Sequence, residues 1–251
     1  MPEKRTAVPL GSRHRATQSS KIEMQRYHLR AREPVTRSRM TVRGRFPSIK
    51  MGRMVDWESQ LERRACYRFE FSPAVLAFKE QPESIRFVLG DQYVKYTPDF
   101  ELRLCNDETW LVEIKPLDHL QKPDLVQRLQ AASDWYRDKG KGFIVVTDSE
   151  LVAPIFESNL AFLRHFQNFE LDASAVEHAR YWLMHMDSPT LGALHAYYGD
   201  KKTAYVLLSQ HHICINLYQT FHSDSELYLP EVNSNAQLLF SYRTAPNFTL
   251  G

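Results

Sequence analysis

Two carboxylates and a lysine interrupt the otherwise apolar stretch YTPDFELRLCNDETWLVEIKP, Tyr96 to Pro116. Asp99 follows a proline at the start of a strand-like run. Thirteen residues intervene, and Glu113 and Lys115 then flank Ile114 in a second such run. Side chains alternate faces along a strand. Phe100, Leu102 and Leu104 therefore share one face and Asp99, Glu101 and Arg103 the other. Likewise Trp110, Val112 and Ile114 oppose Leu111, Glu113 and Lys115. A hairpin that matches the apolar faces needs an odd loop, because a one-residue slip flips every side chain. The loop Asn106-Asp107-Glu108 meets this condition, setting Asp99 opposite Lys115 and Glu101 opposite Glu113. The apolar pattern alone gathers Asp99, Glu113 and Lys115 on one face.

Carboxylates held together repel, which raises the pKa of one of them unless a cation intervenes. Mg²⁺ takes oxygen ligands and is often held by one or two carboxylates plus phosphate and water. A metal between Asp99 and Glu113 would polarise a phosphate and lower the pKa of a bound water. The Ile114 backbone carbonyl lies between the two side chains and could join the ligands. Lys115 could steady a hydroxide nucleophile or the developing negative charge. The bland alternative is a solvated strand face carrying a weak Glu113–Lys115 ion pair. The Glu-Ile-Lys triplet alone cannot decide between them. The Pro-Asp strand start, the spacing, the apolar run LVEIKP and a preceding acidic helix together favour chemistry.

The elements that must hold these groups follow from periodicity. VDWESQLERRACYRF (55–69) reads as a helix capped by Asp56, with Trp57, Leu61, Ala65 and Phe69 four apart. Short strands are expected at 74–78, 84–89, 92–96, 99–105 and 109–115, a helix at 124–140, a buried strand at 142–148 and a helix at 153–166. Beyond about residue 170 the character changes. Helices at 173–186, 189–198 and 201–211 precede a hairpin from ICINLY (213–218) and ELYLP (226–230), the outline of a winged helix. The expected division is a basic, partly flexible arm over 1–40, the site-bearing domain over 41–169, and a winged-helix-like domain over 170–251 for partner or DNA contacts.

Charge is distributed unevenly. Residues 1–50 carry 13 Lys and Arg against 3 Asp and Glu, whereas the remaining 201 carry 19 against 27. Such a basic end suits nucleic acid or an acidic partner. No apolar run approaches the ~18 residues that span a bilayer, and no secretory h-region follows the N-terminus. Three scattered cysteines make no disulfide framework, so a cytoplasmic setting is expected. Arg43, Arg45, Lys50 and Arg53 precede the acidic helix at strand-like spacing and are candidate phosphate contacts. His211, His212 and Cys214 lack the second ligand pair of a structural zinc site. Tyr197-Tyr198 reads as packing, and Gln81 lies close to the proposed strands, where it could assist the site.

The pattern Pro98-Asp99, thirteen residues, Glu113-Ile114-Lys115 resembles the PD-(D/E)XK nuclease superfamily. RGRFPSIKMGRMVDWESQLERR, FSPAVLAFKEQP, YTPDFEL and LVEIKP are more narrowly similar to the TnsA endonuclease subunit of heteromeric transposases. The similarity covers about residues 42–148 and loosens through 230. It implies an α/β restriction-endonuclease-like fold, a mixed sheet flanked by helices. It also implies an acidic metal ligand on the helix before the sheet. Glu62 fits that role best, with Glu58 one turn away and Glu70 the second choice. By resemblance, Glu62, Asp99 and Glu113 hold one or two Mg²⁺ ions, with Mn²⁺ able to substitute. Relatives of this kind cut transposon 5′ ends, beside a DDE-type transposase (TnsB) that processes the 3′ ends. An AAA+ ATPase (TnsC) contacts the C-terminal region. A bacterial, cytoplasmic protein is implied. A stand-alone restriction or repair nuclease, and a non-catalytic adaptor on a nuclease scaffold, are the alternatives.

Overall fold

The computed structural model describes residues 42–230 and 237–250; the basic arm expected over 1–40 lies outside them. Strands β1 (Gly44–Ser48) and β2 (Arg53–Trp57) form an antiparallel hairpin that leads into helix α1 (Gln60–Phe71). Then come β3 (Val75–Glu80), the hairpin β4 (Ile85–Leu89) and β5 (Gln92–Tyr96), β6 (Phe100–Leu104) and β7 (Thr109–Lys115). Helix α2 (Pro123–Arg137) crosses from β7 to the parallel strand β8 (Gly142–Thr147). Helices α3 (Asp148–Leu151) and α4 (Pro154–Leu163) follow. Three helices, α5 (Ala173–His185), α6 (Leu191–Tyr198) and α7 (Lys202–Ser209), precede two-residue strands β9 (Cys214–Ile215) and β10 (Leu227–Tyr228). Strands β11 (Arg243–Thr244) and β12 (Thr249–Leu250) end the described chain.

The central sheet has six strands in the order β12-β11-β8-β7-β6-β3, parallel at β7/β8 and antiparallel elsewhere. It is the mixed, helix-flanked sheet that the family resemblance implies. Both faces of its centre are covered. Val112, Ile114, Ile144 and Val146 pack with Ala65, Cys66 and Phe69 of α1. Leu111, Phe143 and Val145 pack with Leu129, Ala132 and Tyr136 of α2. A strand covered on both faces reads as a continuous apolar run. Glu113, 5 % exposed in the middle of β7, is the exception to be explained.

Three expectations require correction. Residues 55–57 are strand, not helix: Val55 and Trp57 are buried at the two-residue period of β2. The helix cap is Ser59, whose hydroxyl accepts from the Glu62 N–H at 3.1 Å, rather than Asp56. The unit over 170–251 also ends early. Residues 237–250 return to the central sheet, Arg243 pairing with Val145, and they bury Phe240 and Phe248 in the two cores that flank it. The reason is an open edge on β8, which a returning strand covers. A boundary at 169/170 also divides one core, because Leu183, Leu191, Leu194 and Leu207 pack with Phe71 of α1 and with Phe156, Leu160 and Leu163 of α4.

Candidate active site

Strands β6 and β7 place the site. Their register pairs Phe100 with Val112, Glu101 with Leu111 and Leu102 with Trp110. The turn closes over Cys105–Asp107, with the Leu104 N–H donating to the Glu108 carbonyl and Asp107 at φ +66°. The expected register, with Asp99 opposite Lys115, is therefore two residues out. Two residues is one full strand period, so the faces are unchanged and the charged groups still meet.

Asp99 is held from several sides. Its Oδ2 accepts from the Ile114 N–H at 2.8 Å, and the Lys115 ammonium lies 3.5 Å away. Its own carbonyl accepts from the Gln81 N–H at 2.8 Å, where Gln81 adopts φ +45°. Lys115 Nζ lies 2.7 Å from Glu113 Oε1 and donates to the Ile114 carbonyl at 3.2 Å. The second oxygen of Glu113 accepts from the Tyr96 hydroxyl at 2.6 Å. Tyr96 is buried, and sequence reasoning missed it. Its position three residues before Asp99 was the available signal, yet a tyrosine at a strand end carries no chemistry until its partner is known.

Burial and then the charge of Asp99 raise the Glu113 pKa, against the opposing pull of Lys115 and Tyr96. Burial and then Asp99 also raise that of Glu62. For Lys115 burial works the other way, but Asp99 and Glu113 outweigh it, so its pKa is raised and it stays an ammonium. Tyr96 is raised too, by burial and by Glu113, so its hydroxyl remains a donor. Three carboxylates thus influence one another around a single ammonium.

Glu62 stands at the border of this cluster. Its Oε2 accepts from the Glu58 N–H at 2.7 Å and its Oε1 from the Ser59 hydroxyl at 3.0 Å, so it closes the first turn of α1 in the manner of a capping box. Among the described residues no three His, Cys, Asp or Glu side chains converge closely enough to hold a metal ion. Asp99 and Glu113, with the Ile114 carbonyl turned toward Lys115, are the compact part of the site. Two carboxylates and an excess of negative charge suit a hard divalent cation that also takes phosphate and water as ligands.

Other expected residues are placed elsewhere. Glu70, 1 % exposed, accepts from the Ser48 hydroxyl and the Ile49 and Lys50 N–H groups, binding the β1–β2 turn to α1 rather than facing the site. Lys50, expected on phosphate, donates to the carbonyls of Phe69, Ser72 and Val75 at 2.6–2.9 Å. Burial lowers its pKa to about 8, which still leaves an ammonium at neutral pH. Arg53, also expected on phosphate, makes a bidentate pair with the buried Glu80 at 2.9 and 2.7 Å. Both cations are consumed inside the protein, because each sits beside acceptors that no solvent reaches. Arg45 remains largely exposed, 3.4 Å from Asp56, and Arg43 is half-buried.

A mixed sheet between helices, with an aspartate, a glutamate and a lysine meeting across adjacent strands, fits the restriction-endonuclease-like class of nucleases. Residues 72–148 match the model of a family described as TnsA-like endonuclease N terminal, a span that contains Asp99, Glu113 and Lys115. The match supports a TnsA-family endonuclease with a nuclease function in Tn7-like transposition. No curated protein matches the chain. Among the described residues no helix is long and apolar enough to cross a membrane.

Proposed function

We propose that the chain is the Mg²⁺-dependent endonuclease subunit of a heteromeric transposase, hydrolysing the phosphodiester at the 5′ ends of its transposon. One observation carries the reading: Asp99 and Glu113 both lie within 3.5 Å of the Lys115 ammonium, inside a domain that matches the TnsA-like family. Asp99, Glu113, the Ile114 carbonyl and Glu62 would hold one or two Mg²⁺ ions, or Mn²⁺ in their place. Such an ion, when bound, neutralises phosphate charge and activates the attacking water. Lys115 orients that water and offsets negative charge developing on the phosphate. Tyr96 keeps Glu113 aimed by holding the oxygen that Lys115 does not. Glu62 would exchange its capping contacts for the metal.

The substrate of this reading is transposon-end DNA, with Arg43 and Arg45 at its margin. The DDE-type transposase TnsB would process the 3′ ends, and the AAA+ ATPase TnsC would dock on the C-terminal unit. Three helices followed by the β9–β10 ladder come in the chain order of a winged helix, which supports that reading. The test is 5′-strand cleavage of transposon-end DNA by the full chain with its transposase. Asp99→Asn should abolish cleavage while the circular-dichroism spectrum and DNA binding persist. Cleavage at the wild-type rate by Asp99→Asn would refute the assignment.

A further inference from the structure

The β4–β5 hairpin leads directly into the site yet belongs to no larger sheet. Its register pairs Ile85 with Tyr96, Arg86 with Lys95, Phe87 with Val94 and Val88 with Tyr93. Alternation gives it two unlike faces. Ile85, Phe87 and Tyr96 pack into the core under α2. Arg86, Val88, Tyr93 and Lys95 share the outer face, and all four are exposed, Val88 to 58 % and Tyr93 to 86 %. We propose that this outer face is a contact surface for the DNA duplex being cut, Arg86 and Lys95 binding backbone phosphates and Tyr93 lying against sugar or base. The proposal rests on the endonuclease reading and extends it to a substrate-binding element.

Three features favour an anionic occupant. Arg86 and Lys95 are direct cross-strand neighbours, and like charges so placed repel. Among the described residues neither has an ion-pair partner: Glu83, close by in sequence, is taken by Lys141 at 2.8 Å. The repulsion is relieved by a phosphate between them. Second, the pair stands on an acidic body, since the 201 residues after Lys50 carry 19 Lys and Arg against 27 Asp and Glu. Third, a charged face that served only solubility would not carry Val88 and Tyr93 beside the cations. An aromatic beside paired cations is the composition that binds a nucleic-acid strand, ions on the phosphates and ring on the flat groups.

Position favours the duplex near the scissile bond. Lys95 lies four residues before Asp99, so their Cα atoms are at most about 14 Å apart at ~3.5 Å per residue. That is about four nucleotide steps at ~3.4 Å along one strand. The same strand positions Tyr96 against Glu113, so a substrate held by the outer face is held by the element that orders the site.

The experiment uses the full chain carrying Asp99→Asn, which prevents cutting, and a fluorescein-labelled duplex of the transposon end. Anisotropy gives the affinity from 50 to 300 mM salt. Arg86→Gln with Lys95→Gln removes two phosphate contacts. The slope of log affinity against log salt should become shallower by about 1.8, at ~0.9 per contact. Tyr93→Ala should weaken binding about tenfold and leave the slope unchanged. Arg103→Gln, an exposed arginine on β6, is the control for overall charge. A slope for the double variant equal to wild type, or shifted no more than by Arg103→Gln, overturns the proposal and leaves the endonuclease reading standing. Unchanged DNA binding with lost binding to the transposase makes the face a protein contact and overturns it equally. Failure of the Asp99→Asn chain itself to bind the duplex overturns both readings.

Discussion

Removing a single oxygen, with Tyr96→Phe, tests whether the site depends on how Glu113 is held. The tyrosine ring packs with Phe87 and Phe143 at centroid distances of 6.3 and 6.1 Å, and phenylalanine keeps those contacts. What disappears is the 2.6 Å bond to Glu113 Oε2, leaving Lys115 at 2.7 Å on Oε1 as the remaining side-chain contact to this carboxylate. A hydrogen bond to a charged group contributes about 1.5–3 kcal/mol. If Tyr96 holds the ligating form of Glu113, that energy is lost from metal binding and from the reaction. At ~1.4 kcal/mol per factor of ten it amounts to roughly ten- to a hundredfold, the range expected for a group that orients a metal ligand. Mn²⁺ affinity measured by calorimetry on the DNA-free chain should fall by that factor. Single-turnover 5′ cleavage at saturating DNA should fall in parallel, while the thermal midpoint moves by only a few degrees. Mn²⁺ affinity and cleavage both at wild-type levels in Tyr96→Phe, with both abolished in Asp99→Asn, would refute the reasoning. A large loss of thermal stability would reassign the bond to the fold.

Arg53→Gln leaves the carboxylate of Glu80, 3 % exposed, without its bidentate cation; urea unfolding should show a loss of about 3 kcal/mol, the cost of breaking a buried pair, and a loss below about 1 kcal/mol would refute it. Arg68→Met removes donors to the Leu239 and Leu151 carbonyls and a guanidinium 3.6 Å from the centre of the Phe156 ring. It should cost about 2–4 kcal/mol, and hydrogen exchange should show residues 239–250 losing protection before the sheet centre does. Burial, then the Lys50 charge, lower the His211 pKa to about 4, against the hydrogen bond to the Phe71 backbone and with a further push from His212. The folded state therefore resists protonation that the unfolded chain accepts near 6.5, so stability is full above that pH and declines toward pH 4, by up to about 3 kcal/mol. His211→Asn, tolerated at φ +60°, should flatten stability between pH 6.5 and 4, and an unchanged acid limb would count against it.

The grouping of Asp99, Glu113 and Lys115 was legible because strand alternation is a local property with a fixed period of two. The individual strands and the helix at α2 were legible from the same periodicities, whereas the mixed sheet was expected only from the family resemblance. The turn between β6 and β7 was not, because a two-residue slip leaves every face unchanged and the apolar pattern cannot detect it. Helix α1 began later than its apolar spacing suggested, since Trp57 satisfies both the two-residue strand period with Val55 and the four-residue helical spacing with Leu61. The roles of Lys50, Arg53 and Glu70 were misread because charge type says nothing about partner. Whether a cation meets phosphate or a buried acceptor is decided by which backbone carbonyls or carboxylates the fold brings alongside.

Local periodicity, then, was enough to specify most of the strands and helices, the strand faces and three of the groups that meet at the site. Contacts distant in sequence decided the rest. Tyr96 acquired a role only when β5 ran past Glu113, and Glu62 came under the influence of Asp99 only once α1 settled on the sheet. Residues 237–250 joined the sheet because β8 had an edge to cover. Such contacts depend on where whole elements pack, and burial and charge neutralisation settle that over the entire core rather than within any short window of residues.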